Sequence, residues 1–267
     1  MQGITTLLNY CKNLWISRYI IISLAVQDIR NRYRRSVFGV LWSILMPLGL
    51  ALIIASVYTI IWKTNIQTFL PFLLSGLTPW NFISACSSNG AMAYLSAEGY
   101  IKQLPVKIEL FPVRVMLGSL IELMFGLIAF FIIVIIFNPA LITINLLFVP
   151  AALIVYMVAG TAMATIAATL QTFVRDYAPL QTLLLQAFFY VTPIIFTTDI
   201  IAQRGVNFEL IYKINPFYYF LQIMRDSLLG NQPDPVTWLI AIVISIALLL
   251  IAILLVQKTR KQIVFKL

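Results

Sequence analysis

The residues with the clearest chemical potential are four arginines within six positions, Arg30, Arg32, Arg34 and Arg35. A guanidinium group is planar and always charged, and its fork of N–H donors matches the oxygens of a phosphate. The cluster therefore fits the binding of phosphates carried by a lipid-linked compound. It also fits an anchor against the anionic surface of a membrane. The two interpretations are compatible.

A catalytic or metal centre is not expected in this chain. Histidine is absent from the 267 residues, which excludes His-based metal sites and Ser-His or Cys-His pairs. The nine acidic residues are scattered, and none has metal-ligand spacing. No GxxxxGK[ST] motif occurs, so an ATPase that drives this chain would be another polypeptide. A membrane-embedded enzyme acting on polyprenyl lipids is a further alternative, which turnover by the isolated chain would support.

The composition indicates a membrane protein, because 61% of the residues are hydrophobic and 10% are charged. The net charge is +9, but the sequence contains no basic polar domain that could bind nucleic acid, so a nucleic-acid partner is not expected. Basic residues at the edges of the membrane-spanning segments explain the positive net charge better, and membrane lipid is then an expected partner. Cys11 and Cys86 are the two cysteines, and they do not form a disulfide framework.

Six apolar segments are each long enough to cross a bilayer as a helix, which needs about 20 residues. The resulting fold class is an all-α integral membrane protein. An N-terminal amphipathic interface helix is expected within residues 1–36, a six-span transmembrane domain at 37–257 and a basic cytoplasmic tail at 258–267. The predicted spans are 37–62, 69–92, 112–137, 145–172, 179–198 and 236–257.

The distribution of basic residues predicts the orientation. Six spans place both termini on one side, and fourteen Lys and Arg residues fall on that side against four on the other. Because Lys and Arg collect in cytoplasmic loops, both termini are expected in the cytoplasm. The four assigned to the outer side are Lys63, Arg204, Lys213 and Arg225.

Two connections between spans are expected to be helical. Residues 97–104 predict a short helix stopped by Pro105, which is either a plain polar connection or a rigid knob for a cytoplasmic partner. Asn215 and Pro216 are typical of a helix start, and Gly230 is typical of a helix end. This second helix is expected to lie on the outer leaflet or to dip back into it, as a re-entrant element between spans five and six.

One acid and several aromatic residues are candidates for a transport path. Glu122 is a charged residue that lies well inside the predicted span 112–137. It is either a functional acid or a neutralised or hydrogen-bonded packing residue. Aromatic rings stack on sugar faces, although belt and packing roles are the usual ones. The channel or gate candidates are Tyr58, Phe188, Tyr190, Phe196, Phe217 and Phe220.

Four stretches together resemble a known family. They are DIRNRYRRSVFGVLWSILMP at 28–47, GYIKQLPVKIELFPVR at 99–114, FVRDYAPL at 173–180, and YVTPIIF with INPFYYFLQIMRDSLLG within 190–230. In this order and with a six-span layout, the chain resembles the permease subunits of type-2 ABC exporters of lipid-linked polysaccharides. That family includes exporters of O-antigen, capsule and teichoic acid.

The resemblance implies a homodimer in the bacterial cytoplasmic (inner) membrane, with two separate ATPase subunits that carry ATP and Mg. The substrate implied is an undecaprenyl-diphosphate-linked polysaccharide, O-antigen in particular. The arginine cluster would then lie at the cytoplasmic entrance, and the stretch after Pro193 would form gate helices. The coupling helix that seats in the ATPase would comprise Glu98, Gly99, Tyr100, Ile101, Lys102, Gln103 and Leu104.

An exporter of a small hydrophobic drug or lipid with the same topology is the alternative function. It predicts less need for the N-terminal interface helix and for the basic entrance.

Overall fold

The computed structural model describes residues 14–103, 106–196 and 212–267. In this part of the chain the regular structure is helical, without a strand, which confirms the predicted all-α class. The main helices are α1 (Arg18–Arg32), α2 (Trp42–Trp62), α3 (Ile66–Ala91), α4 (Glu98–Gln103), α5 (Leu110–Phe137), α6 (Val149–Phe173), α7 (Tyr177–Val191), α8 (Pro216–Leu229) and α9 (Pro235–Lys266).

Five helical segments among the described residues are long and apolar enough to cross a bilayer, and each coincides with a predicted span. The chain is therefore a multi-pass membrane protein. The five segments are Gly39–Trp62, Ile66–Ala91, Leu110–Phe137, Ile144–Phe173 and Pro235–Lys266.

Helix α3 is the central element, and it packs against α2, α5, α6, α7 and α8. Small residues let its neighbours approach closely. A Cβ atom added to Gly90 would lie 2.6 Å from the Cα of Ala164. One added to Gly160 would lie 2.8 Å from the Phe82 ring.

One end of the bundle, here named the arginine end, brings together distant parts of the chain. The buried cluster there joins the segment just after α3, helix α4, the start of α5, the end of α6 and the C-terminal turns of α9. Tyr94, Ile101, Phe111, Ala168 and Ile263 are members of this cluster. Helix α1 reaches the same end through its contacts with α5. Both α1 and the end of α9 therefore lie at one end of the bundle.

The opposite end is closed by loops and by the start of α9. Asn145 Nδ2 donates to the carbonyl of Gly230 at 2.8 Å, and the rings of Phe148 and Trp238 lie 6.2 Å apart. Asp234 caps α9. Hydrogen bonds from the hydroxyl and the backbone N–H of Thr237 lower the pKa of the Asp234 carboxyl.

The fifth predicted span, 179–198, is interrupted just before Pro193. Helix α7 has 15 residues and ends at Val191, so at 1.5 Å per residue it spans about 22 Å, short of the roughly 30 Å hydrocarbon core. Thr192 is extended, with φ −81° and ψ 135°, because the residue before a proline disfavours the helical region. Pro193 therefore ends the helix inside the bundle.

Helix α8 carries the chain over the remaining depth. Asn215 Nδ2 donates to Thr192 Oγ1 at 2.7 Å, so the chain returns to the depth at which α7 stopped. The Phe217 ring then lies beside Trp80 of α3, and the other end of α8 reaches Asn145. The fifth crossing is thus split between α7 and α8, and α8 dips into the bundle as a re-entrant element.

Candidate functional site

Helix α1 is fastened to the bundle by three polar contacts at the arginine end. Asp28 accepts two hydrogen bonds from the Arg114 guanidinium, and Arg32 pairs with Glu122. The Ser43 hydroxyl donates to the Tyr33 hydroxyl at 2.7 Å. These contacts join α1 to α5 and to the first turn of α2, so they set the position of the arginine cluster.

The four arginines of the cluster are exposed at the end of α1 and just after it. Arg30 and Arg32 occupy the last turn of α1, where the helix dipole favours positive charge. Arg35 has a φ of 71°, which turns the chain towards α2. The cluster is positioned at one mouth of the bundle, where its guanidinium groups are accessible to a phosphate.

A cavity of about 610 Å³ lies beside this cluster, between α2, α3 and α5. Its lining is largely apolar, with a few polar side chains, and that is the usual composition of a small-molecule site. Arg32, Tyr33, Asn81, Ser119 and Glu122 are among the polar residues that line it. The cavity is thus bordered by the Arg32–Glu122 pair.

Glu122 is not isolated in the membrane, because Arg32 neutralises it. This contact agrees with the packing alternative that the sequence left open. Because of this pairing, a phosphate that binds Arg32 has to compete with the Glu122 carboxylate for the guanidinium group.

Helix α4 has the form of a short knob. Ile101 is buried against Tyr94 and Ile263, whereas Gly99, Tyr100 and Lys102 are exposed. Lys102 Nζ lies 2.6 Å from a carboxylate oxygen of Glu98, one turn away. The short helix predicted at 97–104 is therefore present over Glu98–Gln103, and Leu104 lies outside the described residues. Its assignment to ATPase docking stays a prediction.

Arg225 of α8 is a buried charge that sequence reasoning missed. Its side chain is 5% exposed. Nη1 donates to the carbonyl of Pro193 at 2.6 Å, and Nη2 donates to the carbonyl of Ile194 at 2.8 Å. The guanidinium carbon lies 4.2 Å from the centre of the Phe72 ring, within the range of a cation–π contact. Arg225 therefore joins α8 to the break after α7 and to α3.

The basic-residue count placed Arg225 on the outer side, and the structure buries it inside the bundle. Hydrogen bonds to two carbonyls and an aromatic face replace part of the water that a charge would otherwise need, whereas the buried Nε has no hydrogen-bond partner among the described residues. Spacing carried a usable signal, since Arg225 lies four residues after Leu221 and three before Leu228, on the apolar face of the helix. A lone arginine on that face indicates a partner inside the bundle.

The structure divides the aromatic candidates into separate groups. Phe188 and Phe217 have ring centres 5.0 Å apart. Phe220 is buried against Tyr156, whose hydroxyl donates to the Phe220 carbonyl at 2.8 Å. Tyr58 lies on α2, and its ring centre is 4.6 Å from that of Trp62.

Two candidates complete the set. Tyr190 is 64% exposed, and Phe196 is partly buried near the end of the described stretch. The channel or gate roles of all six aromatic residues stay predictions.

The chain forms a bundle of several membrane-spanning helices. Its fifth crossing is split, and the six-residue helix α4 lies at its basic end. The family described as ABC-2 type transporter matches residues 19–229, which include α1 to α8. The chain belongs to the ABC-2 type transporter family. It is therefore a transporter permease of that family, and the family implies partnership with an ATPase subunit.

Curated relatives align with most of the chain. An "O-antigen export system permease protein RfbA" of Klebsiella pneumoniae is 27% identical over 214 residues, which are 79% of this chain and 81% of the relative. A protein with the same name from Myxococcus xanthus is 22% identical over 252 residues, which are 94% of this chain and 96% of the relative.

Proposed function

We propose that this chain is the permease half of an ATP-driven exporter that moves a lipid-linked polysaccharide, O-antigen in particular, across the bacterial cytoplasmic membrane. It works as a homodimer with two ATPase subunits, and its arginine end faces the cytoplasm. The observation that carries the proposal is the match to permeases named for O-antigen export, which reaches 94% of the chain in one relative.

The arginine end supports this proposal through its chemistry. Four exposed guanidinium groups suit the diphosphate of a polyprenyl-linked glycan. A cavity with a largely apolar lining opens next to them. The drug-export alternative does not require this concentration of phosphate-binding groups.

Helix α4 supplies a route for coupling. Movement of an ATPase against its exposed face would press Ile101 into the cluster that holds α3, α5, α6 and α9 together. Because a packed core transmits displacement, this push reaches the helices around the cavity. A polymer of many sugars is too long to be enclosed, so a channel filled progressively fits better than one closed pocket.

The decisive experiment is co-purification of the tagged chain with an ATPase, followed by mass determination of the complex. Two copies of each subunit and ATP hydrolysis that depends on this chain are the expected results. Activity without any partner ATPase would contradict the proposal.

Deletion of the gene tests the substrate. Loss of the surface glycan with unchanged drug sensitivity is expected. The reverse pattern would favour the drug exporter.

A further inference from the structure

We propose that Arg225 is the positioning residue that holds α8 against the break in the fifth crossing and so keeps the outer half of the transport path closed at rest. This inference rests on the proposed function, since it concerns the path through which the cargo would leave.

The first argument is the pair of carbonyls that Arg225 meets. Pro193 ends α7 inside the bundle, so the carbonyls around the break need donors that water cannot supply there. Arg225 provides two N–H groups in the fixed fork of one guanidinium, one to Pro193 and one to Ile194. One side chain of α8 therefore satisfies the backbone where α7 stops.

The second argument is the charge balance. No carboxylate of the described residues forms an ion pair with Arg225, and the neighbouring Asp226 instead accepts hydrogen bonds from Gln222 and Asn231. The partners of the positive charge outside α8 are the two carbonyls and the Phe72 ring, while Asp226 of the same helix adds electrostatic attraction. Movement of α8 away from α7 would break these contacts together. Partly open positions of α8 are therefore disfavoured relative to the closed one.

The third argument is steric. Gly76 of α3 leaves the space that the guanidinium occupies, since a Cβ at this position would overlap Arg225 Nη2 and lie 3.0 Å from the Ile194 carbonyl oxygen. Helix α3 thus provides a socket for Arg225. The same residue of α8 contacts α3 and the end of α7, so it fixes all three elements at one depth.

The test measures access to the deep end of α8 from outside the cell. A cysteine is placed at Phe217 in a Cys11→Ser, Cys86→Ala chain, co-expressed with its partner ATPase, and labelled with a membrane-impermeant maleimide in intact cells. Slow labelling is expected when Arg225 is present. Arg225→Gln should raise the labelling rate about tenfold. Loss of a buried hydrogen bond from a charged donor is enough to increase the population of the open arrangement by that factor. Lys63→Gln, which removes one positive charge at the same end, should not.

Gly76→Ala is the second variant, because it displaces the guanidinium without removing its charge. It should raise labelling as Arg225→Gln does, and the double variant should show no further increase. Gly118→Ala is its matched control, since a Cβ there meets no heavy atom within 4 Å. Arg225→Lys, which keeps the charge and loses the fork, should give an intermediate rate.

Labelling of Phe217→Cys that is equal in folded parent, Arg225→Gln and Gly76→Ala proteins would overturn the inference. Misfolding of both variants, measured by size-exclusion chromatography, would also overturn it, since Arg225 would then serve folding and not closure. The labelling assay needs no cargo, so a failed transport assay with normal labelling shifts would contradict the proposed function alone.

Discussion

Arg32 pairs with Glu122 at the arginine end, whereas Arg225 meets two backbone carbonyls and an aromatic ring inside the bundle. The Arg32 side chain is 49% exposed, so its pair is open to solvent and to competing anions. Arg225 is 5% exposed and has no such competition. The same residue type therefore serves exchangeable binding at one site and fixed positioning at the other.

A prediction at the residue scale concerns the Arg32–Glu122 pair. Glu122→Gln should tighten the binding of a polyprenyl diphosphate in detergent by about fivefold, because the freed guanidinium gains a charge-assisted bond of about 1 kcal/mol. Arg32→Gln should weaken binding by a similar factor. Microscale thermophoresis with a fluorescent polyprenyl diphosphate provides the measurement.

The opposite signs of these two changes distinguish phosphate binding from anchoring. A purely structural pair would lose stability in both variants and leave lipid affinity unchanged. Lys258→Gln, in the C-terminal part of α9, is a control that removes one positive charge outside the cluster.

At the element scale, two short helices depend on tertiary contacts for their positions. Helix α4 is held by Ile101, and the start of α8 is held by Asn215, which both caps the helix and reaches Thr192. Neither helix is long enough to be stable alone in water. Their roles therefore depend on which side chains attach them.

The exposed face of α4 yields a second prediction. Tyr100→Ala should leave the free energy of unfolding within about 0.5 kcal/mol, as exposed substitutions usually do, while reducing co-purification of the ATPase. Ile101→Ala should lower that free energy by about 2 kcal/mol or more, because it opens space in a buried cluster. Pull-down yield and thermal unfolding separate the two effects. Full ATPase recovery with Tyr100→Ala would contradict docking at this face.

The cap of α8 yields a third prediction with a matched control. Asn215 accepts from the Phe217 backbone N–H at 3.0 Å and also donates to Thr192, whereas Asn65 caps α3 by one bond, from Gln67 at 2.9 Å. Asn65→Ala should cost about 1 kcal/mol for the lost cap. Asn215→Ala should cost about 2 kcal/mol, because a buried hydrogen bond is lost as well. Equal losses in thermal unfolding would show that the Thr192 contact contributes nothing.

At the scale of the whole molecule, α1, α4 and the end of α9 share one end of the bundle, as an even number of crossings requires. Five long helices alone would place α1 and the end of α9 at opposite ends. We infer that α7 and α8 together form one further crossing, the fifth along the chain, which brings the number of crossings to six.

Topology yields the fourth prediction. Cysteines placed at Lys102 and Lys261 in a Cys11→Ser, Cys86→Ala chain should react with an impermeant maleimide in inverted vesicles, and one at Lys63 should react in intact cells. The excess of basic residues at the arginine end gives the physical reason. Labelling of position 102 or 261 from outside would reverse the proposed orientation.

The sequence by itself determined the elements that depend on neighbouring residues. The length of an apolar run decides whether a helix spans the bilayer, so five spans were predicted within three residues of their observed bounds, apart from the end of α9, which continues to Lys266 and not to 257. The short helix before Pro105 and the start of α8 at Asn215 and Pro216 followed from capping and breaking rules.

Only the tertiary structure decided which distant residues meet. Arg32 and Glu122 are 90 positions apart, and Arg225 reaches carbonyls 31 and 32 positions earlier in the chain. The six-span layout counted Arg225 among the basic residues of the outer side, and such a count does not register a socket formed by Gly76, Phe72 and the break at Pro193. Packing in three dimensions provides those partners, and it makes a buried charge stable where local composition indicated exposure.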